Sequence, residues 1–98
     1  MARFVLSPEA SDDLREIRDY IARDSTSAAR RVLADLRVAM RRLAEMPEIG
    51  HVRQDLADEP LRFWPVYSYL IIYRSDTKPI RILRVWHGKQ EKPELPES

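Results

Sequence analysis

The chain has 98 residues, 44% of them hydrophobic and 34% charged, with a net charge of +1 and no cysteine. That is one domain with room for a single core, and it rules out disulfide frameworks and thiolate metal sites. With two histidines no metal or cofactor is expected. No stretch approaches the roughly 20 apolar residues of a membrane span and no signal-peptide pattern is present, so a reducing cytoplasm is expected and a membrane partner is not.

Arg3-Phe4-Val5-Leu6 reads as a short edge strand. Ser7 then supplies a side-chain oxygen to cap a helix, and Pro8 suits the first helical position because its missing N–H costs nothing there. Glu9, Asp12 and Asp13 favour the positive end of the helix dipole. Ala10, Leu14, Ile17 and Ile21 recur at helical spacing, predicting a helix over 8–23. Asp24-Ser25-Thr26-Ser27 breaks and recaps the chain. A second helix follows, with Ala29, Val32, Leu33, Leu36, Ala39, Met40 and Leu43 on one side, and it ends before Pro47. So short a link folds the two helices into an antiparallel hairpin.

Residues 47–60, with Gly50, His51, Arg53 and Asp55, read as a functional or partly mobile connection rather than a hidden element. Strands are expected over 61–64 and 69–74, with Pro65 marking the turn between them because it cannot donate to a ladder. A polar turn leads to a final strand over 80–87. The tail 89–98 is polar and proline-punctuated, so it is expected to fray.

The order β-α-α-β-β-β gives an α+β domain: an antiparallel helix hairpin packed on one face of a small, mainly antiparallel sheet. Strict alternation places Tyr69, Ile71 and Tyr73 opposite Leu70, Ile72 and Arg74. In the last strand it places Ile80, Ile82, Arg84 and Trp86 opposite Arg81, Leu83, Val85 and His87. Both faces are partly apolar and two helices cover one. The second face, with the flank of the hairpin, is therefore the expected dock for another chain.

Charge is uneven. Up to Asp24 the chain is acidic; between Ser25 and Met46, five arginines oppose only Asp35 and Glu45. Such basic surface meets phosphates or an acidic protein, or is simply a solvated face. Among candidates for chemistry, His87 has the pKa of a general acid or base. Arg53, Arg62, Arg81 and Arg84 could hold a phosphate. The plainer roles are a strand-end imidazole bonded to a carbonyl or carboxylate, and arginines paired with Asp55, Asp58 or Glu59. Trp64 and Trp86 suit core or groove packing. No Gly-rich phosphate loop and no nucleophile elbow is present.

Leu6-Ser7-Pro8-Glu9-Ala10 with Asp13-Leu14 and Ile17, Leu43-Ala44-Glu45-Met46-Pro47 with Gly50 and Arg53, Leu61-Arg62-Phe63-Trp64-Pro65-Val66 with Tyr69–Arg74, and Ile82-Leu83-Arg84-Val85-Trp86-His87-Gly88 occur in that order. Together they resemble the ParE/RelE superfamily of type II toxin–antitoxin toxins, and within it the ParE branch. The resemblance implies a bacterial cytoplasmic toxin that binds DNA gyrase and is neutralised by a cognate antitoxin. No sequence-specific nucleic-acid binding by the chain alone is implied. The alternatives are a RelE-like, ribosome-dependent mRNA endoribonuclease, or a degenerate member that only binds antitoxin.

In relatives ending in a His-Tyr pair, the histidine and a middle-strand arginine are catalytic. His87 and Arg62 occupy the matching places, but Gly88 stands where the tyrosine would be. The lysine-rich patch of other RelE-like members has no counterpart, since no lysine precedes Lys78. No catalytic residue is therefore assigned. The candidates for antitoxin or target binding are Arg53, Arg62, Trp64, Leu70, Ile72, Arg74, Arg84 and Trp86.

Overall fold

The computed structural model describes residues 3–52 and 61–87; Arg53, Gly88 and the tail 89–98 lie outside them. In chain order it contains β1 (Phe4–Leu6), α1 (Pro8–Ala22), α2 (Thr26–Glu45), a 3-10 turn (Pro47–Ile49), β2 (His51–Val52), β3 (Leu61–Val66), β4 (Tyr69–Arg74) and β5 (Ile80–His87). The five strands form one sheet in the order β1-β5-β4-β3-β2. β1 runs parallel to β5 and the other pairs are antiparallel.

The helix ends fall where capping chemistry puts them. The Ser7 hydroxyl accepts from the Ala10 N–H at 3.0 Å and donates to the Leu83 carbonyl at 2.7 Å, and the Ser7 N–H donates to the Ile82 carbonyl at 3.0 Å. One buried serine thus starts α1 and ties it to β5. Ser25 caps α2 through the Ala28 N–H at 3.1 Å, and Pro47 follows the α2 C-cap, Met46.

Between hairpin and sheet, Ala10, Leu14 and Ile17 of α1 and Leu36, Met40 and Leu43 of α2 pack on Ile71, Tyr73, Ile80, Ile82 and Val85. Tyr73 is fully buried, which raises the pKa of its hydroxyl. That hydroxyl donates to the Pro47 carbonyl at 2.7 Å and accepts from the Gly50 N–H at 3.0 Å. Gly50 is glycine for a steric reason: a Cβ there would lie 2.2 Å from the Tyr73 oxygen.

Four expectations are corrected. Pro65 lies within β3, paired with Leu70, and the turn is at Tyr67-Ser68, where Tyr67 has φ 56°. Counting out from a two-residue turn, Val66 and Tyr69 exchange hydrogen bonds and Pro65 and Leu70 do not. The proline therefore forfeits nothing to β4, and β2 pairs only with Arg62 and Phe63. The stretch expected to hold no element carries the 3-10 turn and β2. These are too short to show a period, and β2 is a strand because β3 offers it a ladder.

Alternation along β5 breaks at a bulge. Tyr73 pairs with Ile82 and Ile72 with Arg84, leaving Leu83 as the extra residue. Ile82 and Val85, an odd number apart, consequently both face the helices, while Leu83 turns to the other side. The second face is also not bare. Leu61, Phe63, Ile72 and Leu83 form a second cluster with exposures of 0–1%, with Leu70 and Trp86 half-buried against it.

Candidate functional site

The residues expected to matter are placed by this sheet in separate neighbourhoods. Arg62 projects from β3, where its Nε donates to the Ser75 hydroxyl at 3.1 Å. Its Nη1 donates to the carbonyls of Glu48 at 3.1 Å and Gly50 at 2.9 Å. The guanidinium therefore clamps the 3-10 turn and β2 onto the sheet. His87, at the end of β5, lies edge-on to Tyr69 with ring centroids 5.2 Å apart.

Arg62 is opposite Tyr73 and His87 opposite Tyr69, four residues apart on β4 and on its two different flanks. At about 3.4 Å per residue and 4.8 Å per strand, their backbones stand roughly 16 Å apart. Arg62 is turned toward its own carbonyls, so the two side chains do not converge on one reacting phosphate.

Arg84 crosses to α1. Its Nε and Nη2 donate to the two Asp13 oxygens at 2.7 and 2.9 Å, and the Val85 N–H reaches the same carboxylate at 2.9 Å. Asp13 is buried, and bonding to it raises the Arg84 pKa. Among the described residues its carboxylate partner is Asp13; Asp55, Asp58 and Glu59 lie outside them. Arg74 engages Asp76 with two hydrogen bonds, at 3.0 and 2.7 Å. Trp64 stacks on His51 at 6.1 Å and packs against the helix-side core. Ile72 is fully buried, a core residue of the second cluster, so it offers no surface to a partner. Leu70 and the half-buried Trp86 flank it, and the indole Nε1 has no hydrogen-bond acceptor among the described residues.

Two concavities were not expected from the sequence. A cleft of about 600 Å³ opens between α1 and the β4–β5 ends, lined by Asp13, Glu16, Ile17, Asp19, Tyr20, Arg23, Tyr69, Arg84, Val85 and His87. His87 accordingly sits among three carboxylates, and one of its two arginine neighbours is already bound to Asp13. A smaller groove of about 380 Å³ runs along the hairpin flank beside β1, with Leu6, Leu14 and Leu33 in its lining and Arg15, Arg18 and Arg37 beside them. Among the described residues its lining is apolar and basic, with Arg15 ion-paired to Asp12 at 3.3 Å and Arg18 to Asp19 at 3.1 Å at its exposed edge.

Sequence reasoning missed Asp13 as a structural anion. The available signal was a carboxylate at i+3 from Ala10 and i−4 from Ile17, inside the apolar stripe of α1. The cleft residues Tyr20 and Tyr69 carried no comparable signal, because their neighbours come from distant parts of the chain.

Residues 4–92 match the family described as "ParE toxin of type II toxin-antitoxin system, parDE". A relative named "Toxin RelE2", from Caulobacter vibrioides, is 39% identical over 89 residues, covering 90% of this chain and 97% of its own length. Among solved structures, one titled "Chromosomal ParDE TA system from P. aeruginosa" superposes with a TM-score of 0.71 at 22% identity. It covers 89% of this chain and 96% of the other, and shares the fold.

Proposed function

This chain belongs to the ParE family of type II toxin–antitoxin toxins, and from its geometry we propose that it arrests growth by binding DNA gyrase in the bacterial cytoplasm and is silenced by a cognate antitoxin. The observation that carries this reading is the separation of His87 from Arg62. Metal-free RNA cleavage needs a proton-transfer group and a cation at one phosphate. Here Arg62 is committed to Ser75 and two backbone carbonyls, and His87 lies against Tyr69 in a separate cleft. A protein that binds its target needs neither group to be catalytic.

For the antitoxin, the hairpin groove is the better seat than the packed second face of the sheet. Leucines flanked by three arginines suit an acidic amphipathic segment that orders on binding. The alternative, a ribosome-dependent endoribonuclease, draws on the name of the Caulobacter relative.

The deciding experiment assays purified toxin in parallel on gyrase supercoiling and on ribosomes programmed with messenger RNA. Inhibited supercoiling with intact message is expected. Message cleaved on the ribosome, lost in His87→Ala, with gyrase unaffected, would replace this reading with the alternative.

A further inference from the structure

We propose that the cleft between α1 and the β4–β5 ends is the surface through which the toxin grips its target, and that it receives a lysine or arginine side chain of that protein. The inference rests on the gyrase reading above and adds to it the site and the chemistry of the contact.

The shape of the cleft is fixed by the framework. Asp13, held by Arg84 and the Val85 N–H, sets the distance between α1 and β5 and closes the inner end. Beyond that pair the lining turns aromatic and acidic: Tyr69 with His87 edge-on to it from the sheet, Tyr20, Glu16 and Asp19 from the helix. Tyr20 is 69% exposed, more than any other large hydrophobic side chain described. It lies near enough to Tyr69 to add to the rise that burial gives the Tyr69 hydroxyl pKa.

Nothing in the packing of the domain requires an aromatic ring there, and tyrosine is among the side chains that anchor interfaces. Ring faces beside carboxylates favour a cation whose long alkyl stem can lie against them. The lining counts three carboxylates to two arginines. Arg84 is bound to Asp13 and Asp19 is ion-paired with Arg18 at 3.1 Å on the exposed edge of the helix, so Glu16 is the carboxylate that shares the lining with Arg23. The hairpin groove carries the opposite chemistry, apolar with arginines, so the two concavities select different partners. An acidic antitoxin segment is excluded from the cleft by the same charges that admit a basic side chain.

The test titrates purified toxin variants in a gyrase supercoiling assay, with thermal unfolding of each variant followed in parallel. Tyr20→Ala and Glu16→Lys are expected to raise the concentration needed for half-inhibition by about tenfold or more, with Glu16→Gln intermediate. Both positions are exposed, and the melting temperatures of the three variants should stay near wild type. Val38→Ala, an exposed apolar change on α2, should inhibit like wild type. Wild-type toxin that inhibits gyrase with all three cleft variants equally potent overturns the cleft assignment and leaves the gyrase reading standing. Equal effects of Glu16→Gln and Glu16→Lys overturn the cationic occupant. Wild-type toxin without effect on gyrase overturns both.

Discussion

Asp13 and Arg84, 71 positions apart in the chain, are joined by two hydrogen bonds of 2.7 and 2.9 Å that tie the first helix to the bulged last strand. The pair sits beside the bulge: Leu83 is the extra residue of the last strand, and the guanidinium of the next residue, Arg84, reaches α1.

Removing one partner should be costly. Asp13→Ala leaves a partly buried guanidinium and the Val85 N–H without this carboxylate, and about 3 kcal/mol of stability should be lost. Replacing both residues together, as Asp13→Leu with Arg84→Met, should cost less than the sum of the single changes. A denaturant-unfolding double-mutant cycle measures the difference; strict additivity would show that the pair is not coupled.

Gly50 and Tyr73 form a second long-range lock. Gly50→Ala forces a Cβ into the Tyr73 ring and should destabilise by about 2–3 kcal/mol. Tyr73→Phe keeps the ring but loses both hydroxyl bonds, at roughly 1–2 kcal/mol. Melting curves of the two variants check the order, and an unperturbed Gly50→Ala would refute the steric account.

Alkaline pH should weaken the fold. Tyr73 and Tyr69 both have pKa values raised by burial above the ordinary 10.0. A raised tyrosine leaves stability whole below the unfolded value. Stability is then lost as pH climbs from about 10 through the folded value, because the unfolded chain ionises first. Melting temperature against pH should turn down near pH 10, and Tyr73→Phe should soften that fall.

His87→Ala should leave gyrase inhibition within about tenfold of wild type, since a contact and not a proton transfer is removed; a general acid–base group would contribute about 10²–10⁴-fold. Arg62→Ala should instead show itself in thermal stability, through the loosened turn and β2. Growth arrest on induction, measured beside the melting temperature, separates the two outcomes.

Arg15→Glu combined with Arg37→Glu should weaken the antitoxin complex strongly, whereas Ile72→Asp should unfold the chain before any binding is read. Saturating antitoxin should raise the melting temperature of wild-type toxin by mass action. The double variant should lose most of that rise. Unchanged co-purification of the double variant would move the antitoxin off the groove.

The parts of this fold governed by local chemistry were readable in advance. Ser7 with Pro8, Ser25, and Pro47 mark helix ends because a cap or a missing N–H acts within one turn. The long β-rich runs declared themselves by composition. What escaped was set by partners far along the chain. Pro65 is tolerated in a strand only because of its register against Leu70. The phase of β5 depends on one inserted residue, and Arg84 finds an anion on the opposite layer. The binding candidates dispersed for the same reason: Arg62 and Arg84 are engaged by neighbours that the linear sequence does not juxtapose, whereas Arg74 pairs with Asp76 two positions on.

Ser7 also bears on when this protein becomes itself. The first strand has its ladder partner in β5, and the serine between β1 and α1 bonds the carbonyls of Ile82 and Leu83. A ribosome making this chain delivers the helix hairpin early, but the strand it must join begins only at Ile80, well after α2 ends at Glu45, and the carbonyl that Ser7 bonds lies 76 positions beyond that serine. During synthesis, then, neither the groove beside β1 nor the cleft beside β5 exists in finished form. On the cleft assignment proposed above, target binding would wait on the last strand, and an antitoxin already present would meet the toxin as it is completed.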